Sequence, residues 1–380
     1  MVYKILFIPH LLGWRDPNDT GFFHVVRDVA LANELLKQRP SLNIKFVLPR
    51  GFRSQFVEDN RFNVIKVPPV TFYSRVVEFH MLFDLIYQKI SELDIDLIIG
   101  DMFAYACVIA DMLEKHCILI ADYIFPRRSA NILARFCARR ASLIIVCDTE
   151  LHWPLPPLLR SIKDRLYFTG PILRPFDHLL SKSKSDVKRE LGIDPNKFLL
   201  LVTMGGSGLF REPFKVAVKA FKIVKKHLPS TIMILCTGRV LEEKILPERE
   251  VPNGLIIKRF VSDLAPYIRA SDIIITRGGH GTLMEASILG TPIVATRTTH
   301  VTRKREEIYN IRRIMKLGNL IYIPPEHFNP ETLARTLIRL LKNPNLRKRM
   351  IEAGQKLPKN GREKAARIII EFLDSHRNKI

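Results

Sequence analysis

Three glycines, an arginine and a glutamate lie close together at residues 277–285 (RGGHGTLME), in the C-terminal half of the chain. The segment follows an apolar run at 272–276 that predicts a strand, and it opens a helical pattern. Glycine lets the backbone approach a ligand closely, and the first N–H groups of a helix bind phosphate. The segment therefore predicts a phosphate site. The open alternative is a capping box, in which Thr282 caps the helix and Glu285 reaches back to it.

A second glycine-rich loop, TMGGSG at residues 203–208, follows a predicted strand at 198–204. Its spacing is not that of a Walker loop, because no Gly-Lys-Ser/Thr follows, and it is not G-x-G-x-x-G. Gly205, Gly206 and Ser207 are therefore candidates for contact with a phosphate. A plain tight turn is the alternative.

His24 and Asp101 are the N-terminal candidates for acid–base chemistry. Histidine has an unperturbed pKa of about 6.5, which suits a general base at neutral pH. His24 precedes a helical pattern at residues 25–38, and Asp101 follows a predicted strand at 97–99. The C-terminal ends of parallel strands border the ligand crevice, so we expect the two side chains to meet. The alternatives are an ordinary helix-start histidine and an aspartate that caps the next helix.

Short apolar runs alternate with helical patterns along the whole chain. The runs are 4–9, 44–48, 63–67, 97–99, 118–120, 143–146 and 166–169, then 198–204, 231–236, 255–258, 272–276, 292–295 and 320–323. The alternation predicts an α/β fold with parallel sheets covered by helices on both faces. Prolines at 151–161 and polar residues at 181–185 interrupt it. We therefore predict two Rossmann-like domains, 1–172 and 173–358, and a C-terminal helix, 359–380, that packs back on the first domain.

The formal net charge is +22, from 60 Lys and Arg against 38 Asp and Glu. Such an excess attracts phosphates, anionic membranes or nucleic acid. We expect no nucleic-acid partner, because the sequence has no recognition motif with interleaved aromatic residues.

Five scattered cysteines without a C-x-x-C pair favour a reducing, cytoplasmic compartment. No run of about 18 apolar residues predicts a membrane-spanning helix. Residues 1–12 fit a strand better than a signal peptide, because Pro9 and His10 interrupt the apolar run.

The spacing of Arg277, Gly279, Thr282 and Glu285 resembles the donor-binding segment of the MurG family, the N-acetylglucosaminyltransferases of peptidoglycan synthesis. It is also similar to the signature of the UDP-glycosyltransferases. Both have the glycosyltransferase B fold, so the resemblance implies two Rossmann-like domains that face each other across a cleft, with the nucleotide sugar in the C-terminal one. It implies that Gly279 and Thr282 border the diphosphate, that Arg277 lies near it, and that Glu285 holds the ribose hydroxyls.

The same resemblance implies further donor contacts. They are His280 and Gly281 within the segment, the loop residues Gly205, Gly206 and Ser207, and Phe260 and Val261, whose backbone would read uracil. Glu306 and Glu307 precede Asn310 at the place where these families hold the sugar with a glutamine-containing pair. The resemblance therefore leaves the identity of the sugar open.

Residues 21–32 are similar to the Gly-x-Gly-His motif at the first helix of these enzymes, with Phe23 in place of the second glycine. The resemblance implies that His24 is the catalytic base and that Asp101 is its partner. It implies an inverting glycosyltransferase that moves N-acetylglucosamine or glucose from a UDP-sugar to a hydroxyl acceptor. Helix N–H groups and basic residues would stabilise the leaving diphosphate, so we expect neither a metal nor a further cofactor.

The positive charge fits a lipid-linked acceptor and a peripheral position on the inner face of a membrane. The candidate membrane contact is residues 72–83, where Arg75 stands among Phe72, Tyr73, Phe79 and Phe83. A partly buried helix is the alternative for this stretch. For the whole chain the alternatives are a UDP-sugar 2-epimerase or hydrolase on the same fold, and a non-catalytic nucleotide-sugar-binding subunit.

Overall fold

The computed structural model describes residues 2–9, 22–67, 75–122, 136–150, 157–205, 211–238, 251–297 and 304–376, apart from the side chains of 52, 75–82, 157–159, 211 and 304–306. The chain folds as two compact units. The first contains residues 1–175 and 358–380, and the second contains residues 176–357.

The first unit contains a seven-stranded parallel sheet. Its strands are β1 (Lys4–Ile8), β2 (Asn43–Pro49), β3 (Asn63–Val67), β4 (Leu97–Asp101), β5 (His116–Ala121), β6 (Leu143–Val146) and β7 (Leu166–Phe168). The described helices are α1 (Phe22–Gln38), α2 (Phe52–Asp59), α3 (Arg75–Ile90), α4 (Ala106–Met112) and the C-terminal α13 (Gly361–Ser375), and a 3-10 helix covers Pro157–Arg165. The strand order is β3-β2-β1-β4-β5-β6-β7.

Alternate residues of each strand in this sheet pack on opposite faces, as the period of two requires. Ile5 and Phe7 of β1 belong to a core shared with α1 and α13, whereas Leu6 and Ile8 belong to a core shared with α3 and α4. Both faces are therefore covered, which explains why the strands are nearly continuous apolar runs. Helix α13 packs on α1.

The second unit contains a six-stranded parallel sheet. Its strands are β8 (Phe198–Thr203), β9 (Thr231–Cys236), β10 (Leu255–Lys258), β11 (Ile273–Arg277), β12 (Ile293–Thr296) and β13 (Leu320–Tyr322). Its described helices are α5 (Asp177–Leu180), α6 (Lys184–Glu190), α7 (Arg211–His227), α8 (Ala265–Ala270), α9 (His280–Ile288), α10 (Lys304–Leu317), α11 (Pro330–Lys342) and α12 (Pro344–Gly354), with a 3-10 turn at Pro325–His327. The strand order is β10-β9-β8-β11-β12-β13.

The predicted α/β class with two parallel-sheet domains is confirmed, and all thirteen predicted strands are present. Two helices of eight or more residues were not predicted, α2 and α12, whereas α3 contains most of the 72–83 stretch, for which a helix was the alternative to a membrane contact. Among the described helices, none is long and apolar enough to cross a membrane.

Candidate functional site

The candidate residues lie at the switch point of each sheet. In the first unit β1 has β2 on one side and β4 on the other, so the chain order reverses between β1 and β4. In the second unit the same reversal lies between β8 and β11. Open α/β sheets bind ligands at the carboxyl ends of the strands at this point. His24 follows β1 and Asp101 ends β4, whereas Gly205 follows β8 and Arg277 ends β11.

His24 and Asp101 are in contact. His24 lies in the first turn of α1, and its Nδ1 is 3.3 Å from Oδ1 of Asp101. The side chain of His24 is 14% exposed, whereas that of Asp101 is fully buried. The histidine is therefore the member of the pair that a substrate could reach.

Arg27, which the sequence analysis did not select, is the centre of this site. Its side chain is fully buried, and it lies one turn after His24 on α1. Its Nε donates to Oδ2 of Asp101 at 3.0 Å, and its Nη2 donates to Oδ1 of the same carboxylate. Its Nη1 donates to Oδ1 of Asp122, just after β5. This arginine thus holds both oxygens of Asp101, a geometry that lysine cannot reproduce.

The charges of this cluster hold Asp101 ionised. Burial raises the pKa of the Asp101 carboxyl, but Arg27 and then His24 lower it more, and the pKa falls to about 2. For Arg27, burial lowers the pKa of the guanidinium, but Asp101 and Asp122 raise it well above its ordinary value. Asp101 is therefore an anion at every pH at which an enzyme of this kind works.

Nδ1 of His24 has two neighbours of opposite character. The Asp101 carboxylate only accepts hydrogen bonds, so it favours a proton on Nδ1, whereas Nη2 of Arg27 only donates and lies 2.9 Å from Nδ1. A general base needs an unprotonated Nε2, which places the proton on Nδ1 in the neutral ring. Because Nη2 also contacts Oδ1 of Asp101, the arginine can direct its N–H groups to the carboxylate while Nδ1–H does the same.

The backbone after β4 excludes the alternative that Asp101 caps the next helix. Helix α4 begins only at Ala106, and its N-cap is Tyr105. Met102 directly follows Asp101 with a φ of 48°, in the left-handed region that residues other than glycine rarely occupy. Its N–H donates to the carbonyl of Ile120 at 2.8 Å. The chain thus turns sharply where the carboxylate leaves the sheet.

Phe23 occupies the place of a glycine in the motif that the sequence resembles, and its ring packs inside the site. The ring lies edge-on to that of His24, with centroids 6.0 Å apart. The Cζ atom of Arg27 lies 5.4 Å from the centroid of the Phe23 ring. Phe23 therefore contributes to the position of both polar side chains, through ring contact and a cation–π interaction.

In the second unit, the glycine-rich segment opens helix α9 as predicted, but the capping-box alternative is wrong. The helix begins at His280 and its N-cap is Gly279, so Thr282 is the third helical residue and cannot be the cap. Among the described residues, no side-chain hydrogen bond caps this end. A Cβ atom built on Gly279 would meet no atom of the described part of the chain within 4 Å, so open space lies beside the helix N-terminus there. The first N–H groups of α9 and the positive end of its dipole can therefore bind an anion.

Arg277 links the glycine-rich loop after β8 to helix α10. Gly205 has a φ of +90°, which favours glycine, and a Cβ atom there would lie 2.7 Å from Nη2 of Arg277, so the loop backbone passes close to the guanidinium. Nη1 of Arg277 lies 3.3 Å from Oε1 of Glu307. Nδ2 of Asn310 donates to the carbonyl of Gly278 at 3.0 Å. The structure thus brings Gly205, Arg277 and Glu307 together at one edge of the sheet.

The other predicted donor residues are placed as follows. Glu285, His280 and Gly281 are buried in α9, Thr282 is half-buried, and Phe260 and Val261 are half-buried just after β10. Gly206, Ser207 and the side chain of Glu306 lie outside the described residues, as do Phe72, Tyr73 and the side chains of Arg75 and Phe79. Phe83 is half-buried in α3 and stacks on Tyr87 at 6.5 Å.

Among the described residues, no group of three or more His, Cys, Asp or Glu side chains could hold a metal ion. The sequence does contain an Asp-x-Asp pair, Asp94 and Asp96. Asp94 forms an ion pair with Nζ of Lys4, and Asp96 accepts from the backbone N–H of Lys4 at 2.7 Å. The pair therefore lies at the amino end of β1 and β4, at the opposite edge of the sheet from His24.

Comparison with known proteins gives consistent matches. Residues 200–367 match the model of the glycosyltransferase family 28 C-terminal domain. An uncharacterized glycosyltransferase of Methanopyrus kandleri is 27% identical over 287 residues, 73% of this chain and 76% of that protein. The UDP-N-acetylglucosamine--N-acetylmuramyl-(pentapeptide) pyrophosphoryl-undecaprenol N-acetylglucosamine transferase of Acetivibrio thermocellus is 25% identical over 341 residues, 85% of this chain and 87% of that protein.

Among solved structures, the glycotransferase of kitacinnamycin aligns with a TM-score of 0.71 at 16% identity, over 97% of this chain and 99% of that one. These matches confirm the predicted fold and the resemblance on which it was based.

Proposed function

We propose that this chain, a glycosyltransferase of the MurG-like type with the glycosyltransferase B fold, is an inverting enzyme that transfers a sugar from a UDP-sugar to a hydroxyl group of a lipid-linked acceptor. The observation that carries the proposal is the contact of partly exposed His24 with buried, ionised Asp101 at the switch point of the first sheet. Inverting transfer needs a base that removes the acceptor's proton, and this pair can supply one.

The reaction follows from the roles of these groups. The acceptor oxygen attacks the anomeric carbon as Nε2 of His24 takes its proton, and the bond from that carbon to the diphosphate oxygen breaks. Asp101 accepts a hydrogen bond from Nδ1–H and stabilises the imidazolium, as in a hydrolase triad. UDP leaves as the anion.

The donor would bind at the N-terminus of α9. The open space beside Gly279 and the nearby guanidinium of Arg277 suit a diphosphate, whose developing charge they would stabilise without a metal. Glu285 would accept hydrogen bonds from the ribose hydroxyls. Glu307, paired with Arg277, would lie next to the sugar.

Two observations support a lipid-linked acceptor at a membrane surface. The Acetivibrio thermocellus relative is named for a pyrophosphoryl-undecaprenol acceptor. Helices α7 and α11 cover the same face of the second sheet through a shared apolar core. Their outer faces carry a basic surface: Lys219, Lys222, Lys226, Arg335, Arg339 and Lys342, all exposed. Each such cation contributes about 1 kcal/mol near an anionic membrane, so the surface fits peripheral binding.

A two-stage experiment tests the proposal. A thermal-stability screen of nucleotide sugars should give stabilisation by UDP-sugars, worth about 2.7 kcal/mol at a hundredfold excess over Kd, and none by the GDP analogues. UDP release should then require an acceptor in which a hydroxyl-bearing group is linked to a polyprenyl diphosphate. Free sugar released without acceptor would indicate a hydrolase, an isomerised donor would indicate an epimerase, and UDP binding without turnover would indicate a binding subunit.

A further inference from the structure

The carboxyl group of Asp28 has an unusual environment. Asp28 lies on α1, one turn after His24 and next to Arg27, and is 0% exposed. Neither of its oxygens meets a hydrogen-bond donor among the described residues. Asp101 is the neighbouring acidic group that acts on it, because the charge of Asp101 and a hydrogen bond with its carboxyl both raise the pKa of the Asp28 carboxyl. A buried polar group is nearly always hydrogen-bonded, and two carboxyls can form a hydrogen bond only if one of them is protonated.

Arg27 decides which of the two carboxyls carries the proton. It donates to both oxygens of Asp101, and such a bidentate contact stabilises the ionised form. Burial raises the pKa of the Asp28 carboxyl well above its ordinary value, and the charge of Asp101 raises it further, against a smaller opposite effect of Arg27. Two neighbouring carboxyls in a buried site cannot both ionise without a large repulsion.

We propose that Asp28 is a neutral carboxylic acid in the folded enzyme, that it donates a hydrogen bond to Asp101, and that together with Arg27 it positions the carboxylate that faces His24. Asp28 is a positioning residue, because it acts through Asp101. Its role in sugar transfer rests on the proposed function, whereas its protonation does not.

Asp101 then has two donors, the guanidinium of Arg27 and the protonated carboxyl of Asp28. Among the described residues, the charged and titratable groups that face this cluster are Arg27 and His24 from α1, Asp122 after β5 and the Cys147 thiol after β6. With Asp28 neutral, Asp101 keeps one negative charge beside His24 and cannot turn away from it. With Asp28 ionised, its charge would repel Asp101 and compete with it for Arg27.

Stability against pH tests the protonation without any assay of sugar transfer. The unfolded aspartate ionises at a pKa of about 3.9, so above about pH 5 unfolding releases one proton if Asp28 is neutral in the fold. Because its pKa in the folded state is raised, this contribution to stability is lost as the pH rises. The unfolding constant of the wild type, divided by that of D28N, should therefore rise tenfold per pH unit. This corresponds to a loss of about 1.4 kcal/mol in the free energy of unfolding.

Urea unfolding followed by tryptophan fluorescence suits this measurement, because both tryptophans, Trp14 and Trp153, belong to the sequence of the first unit. The matched control is D59N, which removes an exposed carboxyl on α2 and should show no such trend. If the ratio of the wild-type unfolding constant to that of D28N does not change with pH, the proposal is overturned. If D28N does not fold, NMR of wild-type protein with 13C-labelled aspartate carboxyls decides: one carboxyl must keep its protonated shift above about pH 5.

The positioning role has its own readout. D28N keeps a neutral donor, so kcat should stay within about threefold of wild type and the acidic limb of the pH–rate profile should not move. D28L removes the donor, so kcat should fall at least about tenfold while the KM for the donor sugar is kept. If D28N shifts the acidic limb to lower pH, a negative charge has been removed and Asp28 is ionised. If no sugar is transferred by wild type, the proposed function fails and the protonation result still stands.

Discussion

Asp101→Asn separates the charge of Asp101 from its shape. Asparagine has nearly the same size, so the shape of the buried site is kept, but its amide nitrogen cannot accept from Arg27, which loses one of its two hydrogen bonds to this side chain. Its amide nitrogen would donate to Nδ1 of His24 and leave the ring proton on Nε2, which is the tautomer that cannot act as a base. We expect kcat to fall by about 10²–10⁴-fold, which is the range that general-base catalysis contributes.

The stability change is set by the pKa of Asp101. The pKa falls from 3.8 to about 2 in the folded protein, which corresponds to roughly 2 kcal/mol of stability. Because the folded pKa is lowered, this stability is present above pH 4 or so and is lost as the pH falls towards 2. The asparagine variant should thus be less stable by about that amount at neutral pH, and the difference should shrink on acidification.

The assay is UDP release at saturating donor and acceptor, with UDP affinity measured in parallel by calorimetry. The control is Asp94→Asn, just before the same strand, whose side chain is 74% exposed and pairs with Lys4. It should leave kcat unchanged. An Asp101→Asn enzyme within threefold of wild type, folded and binding UDP normally, would refute the assignment of the pair.

Three further predictions concern the base, the donor and the membrane. His24→Ala should lower kcat at least about 10²-fold with UDP affinity unchanged, while His116→Ala, at the amino end of β5, should change neither; an active His24→Ala enzyme would place the base elsewhere. Glu285→Ala should weaken UDP binding by about 1–3 kcal/mol in the folded protein, and unaltered affinity by calorimetry would remove the ribose role. Replacing Lys219, Lys222 and Lys226 by Gln should reduce sedimentation with anionic liposomes. The control replaces Lys37, Lys163 and Lys359, which are exposed in the first unit, by Gln and should reduce sedimentation less. If the wild type does not bind anionic liposomes even at low salt, the membrane surface is refuted.

The thirteen strands were predictable because parallel strands covered on both faces leave short, mostly apolar runs in the sequence. The start of α9 was less predictable. Thr282 and Glu285 have capping-box spacing, but the helix begins two residues earlier, at His280, with Gly279 as its N-cap in an extended conformation. Helix α12 was missed because it has no buried apolar stripe: four of its eleven residues are charged, and its buried residues are Met350 and Gly354.

The polar core of the first unit shows where sequence reasoning ends. His24, Arg27 and Asp28 have the i, i+3, i+4 spacing that places side chains on one face of a helix, and their neighbours Val25 and Val29 are buried. Charges on a face that is otherwise apolar are a usable signal of a buried network.

The sequence does not show which carboxylates complete this network. The partners of Arg27 are 74 and 95 residues further along the chain, and the sheet brings them together only because β1 lies between β2 and β4. Whether Asp28 is charged is then decided by contacts that no local pattern encodes: Arg27 holds Asp101, so the proton is left to Asp28. The position of Asp101 next to His24 thus depends first on the strand order of the sheet and second on the residue types.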